Sequence, residues 1–106
     1  WDAAPVMGIA EGIETAISAA ILFKMPVWAA VNGPLLSKWI PPEVAETIWI
    51  FGDNDINYTG QSKAYALANR LTVQFERKVE IKIPDQIGQD WNDVLRNQNN
   101  GSNSII

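Results

Sequence analysis

Four short runs of β-branched and aromatic residues, each parted from the next by a stretch of helical spacing, constrain this chain more than anything else in it. They are VMGIA at 6–10, VWAAV at 27–31, TIWIF at 47–51 and VEIKI at 79–83. Glu11 to Phe23 places Ile13, Ala16, Ile17, Ala20 and Ile21 at helical spacing, which predicts an amphipathic helix that buries those residues. Gly60 to Phe75 does the same with Ala64, Leu67, Ala68, Leu71 and Phe75, and Thr59 is the expected cap. Asn32-Gly33-Pro34 supplies a turn, Leu35 to Trp39 a short helix, and Asp90 to Leu95 one or two helical turns. Strands alternating with helices pair in parallel through crossovers, so the expected fold is an α/β sandwich on a sheet of about four strands.

Length and composition narrow the chemistry. A chain of 106 residues is one domain that buries roughly 60 to 70% of its unfolded surface. We expect that domain to span residues 1–96, with 97–106 a flexible polar tail. The start at Trp1 suggests a piece of a longer protein. Cysteine and histidine are both absent, which excludes disulfides, thiol nucleophiles, Cys/His zinc sites and imidazole acid/base work. Nothing resembles a signal peptide or a membrane span, so a cytoplasmic setting is expected. Two sequons, at Asn57 and Asn100, matter only in a secreted chain.

The net charge is −4 and the lysines and arginines form no run, which argues against an autonomous nucleic-acid binder. A carboxylate cluster built around divalent ions would, however, make a phosphate-binding domain look acidic. Such a cluster is what the fold class implies. Ligands of parallel sheets sit at the carboxyl ends of the strands, where Glu11 follows the first strand, Asp53 and Asp55 the third, and Asp90 the fourth. A lone D-x-D in a loop is more often turn chemistry than a site. Carboxylates delivered to one edge from three separate strands raise each other's pKa unless a cation neutralises them, and Mg²⁺ or Mn²⁺ takes oxygen ligands while keeping waters that phosphate displaces.

Other motifs fail on their residues. Asp53, Asp55 and Asn57 imitate an EF-hand loop, but its sixth position is Tyr58 and its twelfth Ala64, where glycine and glutamate are needed. Neither a Walker-type loop nor G-x-G-x-x-G is present. A haloacid-dehalogenase-type phosphohydrolase carries D-x-D on its first strand and follows it with Thr or Val, whereas here it follows the third strand and Asn57 stands there, so that family stays only as an outside alternative.

In order along the chain, GIAEGIETA, FGDND and GQDWNDVL make the sequence resemble a Toprim domain, most nearly the primase-like type of phage and plasmid replication proteins. The resemblance runs from Val6 to Leu95. It implies that Glu11 is the family glutamate, acting as general acid/base or metal ligand, that Asp53 and Asp55 bind Mg²⁺ or Mn²⁺, and that Asp90 supports a second ion. It also implies the activity of a DNA primase, making RNA primers from nucleoside triphosphates on a single-stranded DNA template, with zinc-binding, primase-core or helicase modules elsewhere in the parent protein and little activity in this piece alone. Toprim nucleases and topoisomerases, which cleave phosphodiesters, and non-catalytic Toprim binding modules are the alternatives. Many primases carry aspartate where this chain has Thr15 and Asn92, and both departures remove charge.

Five further residues are candidates for support or substrate contact: Gly12, Asn32, Lys63, Asn92 and Asp93. Each has a plain counterpart, respectively a helix-start glycine, a turn, an exposed lysine and two helix residues. Glu14 is expected to be solvated. Of the five tryptophans, Trp28 and Trp49 are expected in the core, Trp91 under the last helix, and Trp39 exposed enough to stack a base.

Overall fold

The computed structural model describes residues 2–105, and their side chains as far as residue 99. Four strands, β1 (Val6–Ala10), β2 (Val27–Ala29), β3 (Thr47–Phe51) and β4 (Lys78–Lys82), alternate with four helices, α1 (Ile13–Phe23), α2 (Gly33–Ser37), α3 (Thr59–Val73) and α4 (Trp91–Ile105). All pairings are parallel and the strand order is β2-β1-β3-β4. The four-stranded parallel sheet read from the sequence is therefore the one observed. Among the described residues no helix is long and apolar enough to cross a membrane.

Strand period decides the layers. Met7 and Ile9 of β1 with Ile48 and Ile50 of β3 face α2 and α3, where Leu36, Ala64, Leu67 and Leu71 meet them. Ala10, Val27 and Phe51 face the other way, toward Ala16, Ala19 and Ala20 of α1 and Trp91 of α4. Phe23 packs edge-on against both Trp49 and Trp91, with centroids 5.8 and 5.2 Å away. Each fully buried apolar side chain contributes about 1.5 to 3 kcal/mol, so Met7 and Ile9 anchor β1 and Ile48 and Ile50 anchor β3 at the centre of the sheet. Gly8 is required where it stands, since a Cβ there would lie 2.6 Å from Phe51 Cε2.

Four details differ from the expectations. The buried face of α1 runs through its alanines and Ser18, while Ile13, Ile17 and Ile21 are each more than half exposed. The cause is α4, which packs along α1 and turns the helix so that small residues lie in the crevice. Trp39 is half-buried, edge-on to Trp28 at 6.4 Å, and is not an exposed stacking surface. Tyr58, not Thr59, is the cap residue of α3, in left-handed backbone (φ 65°) and without a side-chain cap bond. Finally, α4 continues to Ile105, well past the expected one or two turns and through the backbone of the polar tail. How the side chains of residues 100–106 behave lies outside the described residues.

The strand order fixes the site. The chain runs from β1 outward to β2, then crosses back to lay β3 on the other side of β1. Connections leaving β1 and β3 therefore diverge, and the crevice opened between them is where open α/β sheets bind ligands.

Candidate functional site

Glu11 leaves β1 and Asp53 leaves β3 on either side of that crevice. A cleft of about 140 Å³ opens there, lined by Glu11, Gly12, Thr15, Asp53, Asp55, Gly60 and Lys63 over Ile50, Phe51 and Gly52.

Asp53 is the least satisfied group in it. Its Oδ1 is buried and has no hydrogen-bond partner. Burial foremost, then the charges of Asp55, Asp90, Glu11 and Asp93 in that order, push its carboxyl up to about 6 from the ordinary 3.8. Four acids from three loops thus act on one carboxylate, so the sheet edge does gather them.

Asp55 is held differently. The Gly60 N–H donates to its Oδ2 at 2.7 Å, satisfying one of the orphan amides at the start of α3. Glycine at 60 follows from this approach: a Cβ would sit 2.7 Å from Asp53 O and 2.8 Å from Asp55 Oδ2. Gln61 completes the brace. Its Nε2 donates to Asn54 Oδ1 at 3.0 Å and to Asp55 O at 3.1 Å, and its Oε1 accepts the Asp55 N–H at 3.3 Å.

Asn54, between the two aspartates, ties this loop to the one after β4. Its side-chain amide donates to Pro84 O at 2.7 Å, its N–H donates to Gln89 O at 3.0 Å, and its carbonyl accepts the Gly88 N–H at 2.6 Å. The loop carrying Asp53 and Asp55 is thereby fixed to the segment carrying Asp90. Asn54, Gly60 and Gln61 were not singled out from the sequence. A glycine in the first turn of a helix costs about 1 kcal/mol against alanine, and that cost was the available signal.

Asp90 and Asp93 are occupied with each other's backbone. The Asp93 N–H donates to Asp90 Oδ1 at 2.8 Å and the Asp90 N–H to Asp93 Oδ2 at 3.1 Å, a reciprocal cap on α4. Arg96 pairs with Asp93. The Asp90 backbone amide and then Arg96 hold the Asp93 carboxyl below its ordinary value.

The remaining candidates fall into place around this edge. Lys63 Nζ donates to Glu11 Oε1 at 2.9 Å, both side chains being about two-fifths exposed. Asn32 caps α2 by accepting the Leu35 N–H at 2.9 Å. Asn92 accepts from Ser18 Oγ at 3.3 Å, so it fastens α4 to α1. Gly12 lines the cleft, but a Cβ there would meet nothing within 4 Å. Thr15 lines the cleft too, so the departure from aspartate at this position removes a charge from the cleft itself. Glu14 is exposed, as expected. Val31, next to Asn32, holds φ at 85°, a costly conformation for a β-branched residue at the same edge of the sheet.

The donors suit a hard divalent ion. An unpartnered buried carboxylate oxygen is what such an ion takes, and Asp55 keeps Oδ1 for it while Gly60 holds Oδ2. Among the described residues no three acids converge into a ready ligand set.

A family model described as Toprim domain matches residues 6–101. The chain belongs to the Toprim family. In structure this Toprim domain is similar to a DNA primase domain from Pseudomonas aeruginosa, with a TM-score of 0.60 and 16% identity over 88% of this chain. At that identity the likeness shows the fold. The match spans 29% of the longer primase chain. No curated protein matches this Toprim domain in sequence.

Proposed function

We propose that this Toprim domain is the metal-dependent nucleotidyl-transfer module of a DNA primase, making RNA primers from nucleoside triphosphates on a single-stranded DNA template. The observation that carries the reading is Asp53: a buried, unpartnered carboxylate oxygen beside Asp55, facing Glu11 across the crevice between β1 and β3. The neighbouring charges of Asp55, Asp90, Glu11 and Asp93 that add to its proton affinity also attract a metal cation.

Asp53 and Asp55 would hold Mg²⁺ or Mn²⁺, which when bound neutralises triphosphate oxygens and the charge that builds on them. The chain's own residues supply the positioning. The Asn54 and Gln61 bonds keep the two aspartates in place before substrate arrives, and Gly60 lets the start of α3 approach them. Glu11 accepts the proton of the attacking 3′-hydroxyl, and Lys63 holds its carboxylate in orientation until then. Asp90, whose Oδ1 accepts the Asp93 N–H, would support a second ion, and its charge adds to the field at Asp53. Template grip comes in part from modules outside this chain.

Titrating the labelled domain with Mn²⁺ and following NMR line broadening tests the site. Broadening centred on Asp53, Asp55 and Glu11, and lost in Asp53→Asn, is the expected result. Diffuse broadening that Asp53→Asn leaves unchanged would remove the metal site. Primer synthesis by the longer protein, against cleavage of the same oligonucleotide, then separates nucleotidyl transfer from nuclease chemistry.

A further inference from the structure

Folding sorts the charges that look scattered along the sequence. Of twelve acids in the chain, none falls in 32–40, which contains α2, or in 59–75, which contains α3; those segments carry Lys38, Lys63 and Arg70. The two helices pack together on the same face of the sheet. Two neighbouring helices of an acidic chain therefore carry cations and no acid of their own, with Glu11 reaching them only at Lys63 and Gly33.

A groove of about 360 Å³ runs between these helices, with Ser37, Ser62, Lys63 and Arg70 on its walls and Leu36 and Leu67 beneath. Leu36 and Lys63 also line the acidic cleft, so the groove and the cleft adjoin at these two residues. Lys63 and Arg70 stand seven residues apart on α3, about 10.5 Å along the axis. Arg70 is held firmly in place, because its guanidinium donates to Trp39 O and lies over the Phe75 ring, 5.5 Å from the centroid.

We propose that this groove carries the sugar-phosphate backbone of single-stranded DNA into the cleft between Glu11 and Asp53. It deepens the nucleotidyl-transfer reading and rests on it for the identity of the strand. Lys63 marks the junction, where its ammonium can donate to a phosphate of the strand while it keeps its bond to Glu11. Cations along the groove, hydroxyls between them and the absence of carboxylates match a polyanion with exposed sugars.

Titrating the labelled chain with oligo(dT) at low salt tests the groove. Amide shifts should concentrate on α2 and α3. Ser62→Glu in the groove wall and Lys38→Glu at the exposed C-cap of α2 beside it should each weaken binding about tenfold, and Lys38→Glu should also lower the slope of log affinity against log salt by about 0.7. Lys24→Glu, beyond the end of α1, should change neither. Shifts that appear elsewhere, no shifts at all, or unchanged affinity in both groove variants would overturn the proposal. Mn²⁺ broadening at Asp53, read on the same samples, keeps the two readings separate. Broadening that persists while α2 and α3 stay unshifted sinks the groove and leaves the metal site standing. Oligo(dT) shifts on α2 and α3 without Mn²⁺ broadening at Asp53 support the groove and sink the metal site.

Discussion

Two pairs of aspartates stand at the carboxyl edge of the sheet, and their surroundings give them opposite characters. Asp90 and Asp93 begin α4, each accepts the other's backbone N–H, and Arg96 adds a cation. Asp53 and Asp55 end β3. There Asp55 accepts one amide from Gly60, while Asp53 keeps a buried oxygen with no donor and is pressed by four neighbouring charges. The first pair has one oxygen of each carboxylate taken up by a backbone amide, and it starts a helix. In the second pair the buried Asp53 oxygen has no such donor, which on the proposed reading leaves it for a cation. Residue type and position at the edge are the same in both, so the supply of hydrogen-bond donors is what separates the two pairs.

The largest expected break in that contrast comes from Gly60→Ala. The added methyl meets Asp53 O and Asp55 Oδ2 at under 3 Å, so the loop must shift, at a cost of about 2 kcal/mol in denaturant unfolding. Mn²⁺ affinity should fall tenfold or more. Asp53→Asn should act in the opposite sense on stability. Because the folded carboxyl titrates near 6 and the ordinary value is 3.8, the folded state binds the proton more tightly, and metal-free stability falls as pH rises from about 4 to 6. Replacing the carboxyl by an amide removes that slope. After discounting for partial exposure we expect a gain of about 1 kcal/mol at pH 7, or roughly 5 °C in Tm.

Asp90→Ala sharpens the other half of the comparison. Losing the cap should cost about 1 kcal/mol and lower Tm by a few degrees, with a smaller loss of Mn²⁺ affinity than Gly60→Ala causes. Asp93 carries the opposite pH sign from Asp53. Its folded carboxyl is held down, so its contribution is present above the unfolded value and is lost as pH falls through the folded one. The smallest effect is expected from Arg96→Ala, an exposed pair, with a Tm change of about a degree or less.

Much of this edge was legible in advance. The four apolar runs place the strands, parallel pairing follows from the intervening helices, and the carboxyl-end rule then brings Glu11, Asp53, Asp55 and Asp90 to one side. Along α3 the period of Ala64, Leu67 and Leu71 identifies the buried face because the sheet and the short α2 cover that helix from the same side. On α1 the same reasoning misplaced Ile13, Ile17 and Ile21. Two neighbours, the sheet and α4, compete for its surface, and a single-period pattern does not say which wins. The cap at α4 was hidden for a related reason. Asp90 and Asp93 read as acids in either role, and only backbone geometry reveals that their oxygens are spent on each other's amides. Gly60 and Gln61 act through close approach and bonds to Asp55, which spacing does not encode.

Carboxyl ¹³C NMR of Asp53 across pH, with and without Mg²⁺, tests most directly whether this carboxylate is held unpaired for a cation. The account predicts titration at about 6 in the metal-free domain, moving to lower pH when Mg²⁺ is added. Titration at the ordinary 3.8, unmoved by Mg²⁺, would contradict it.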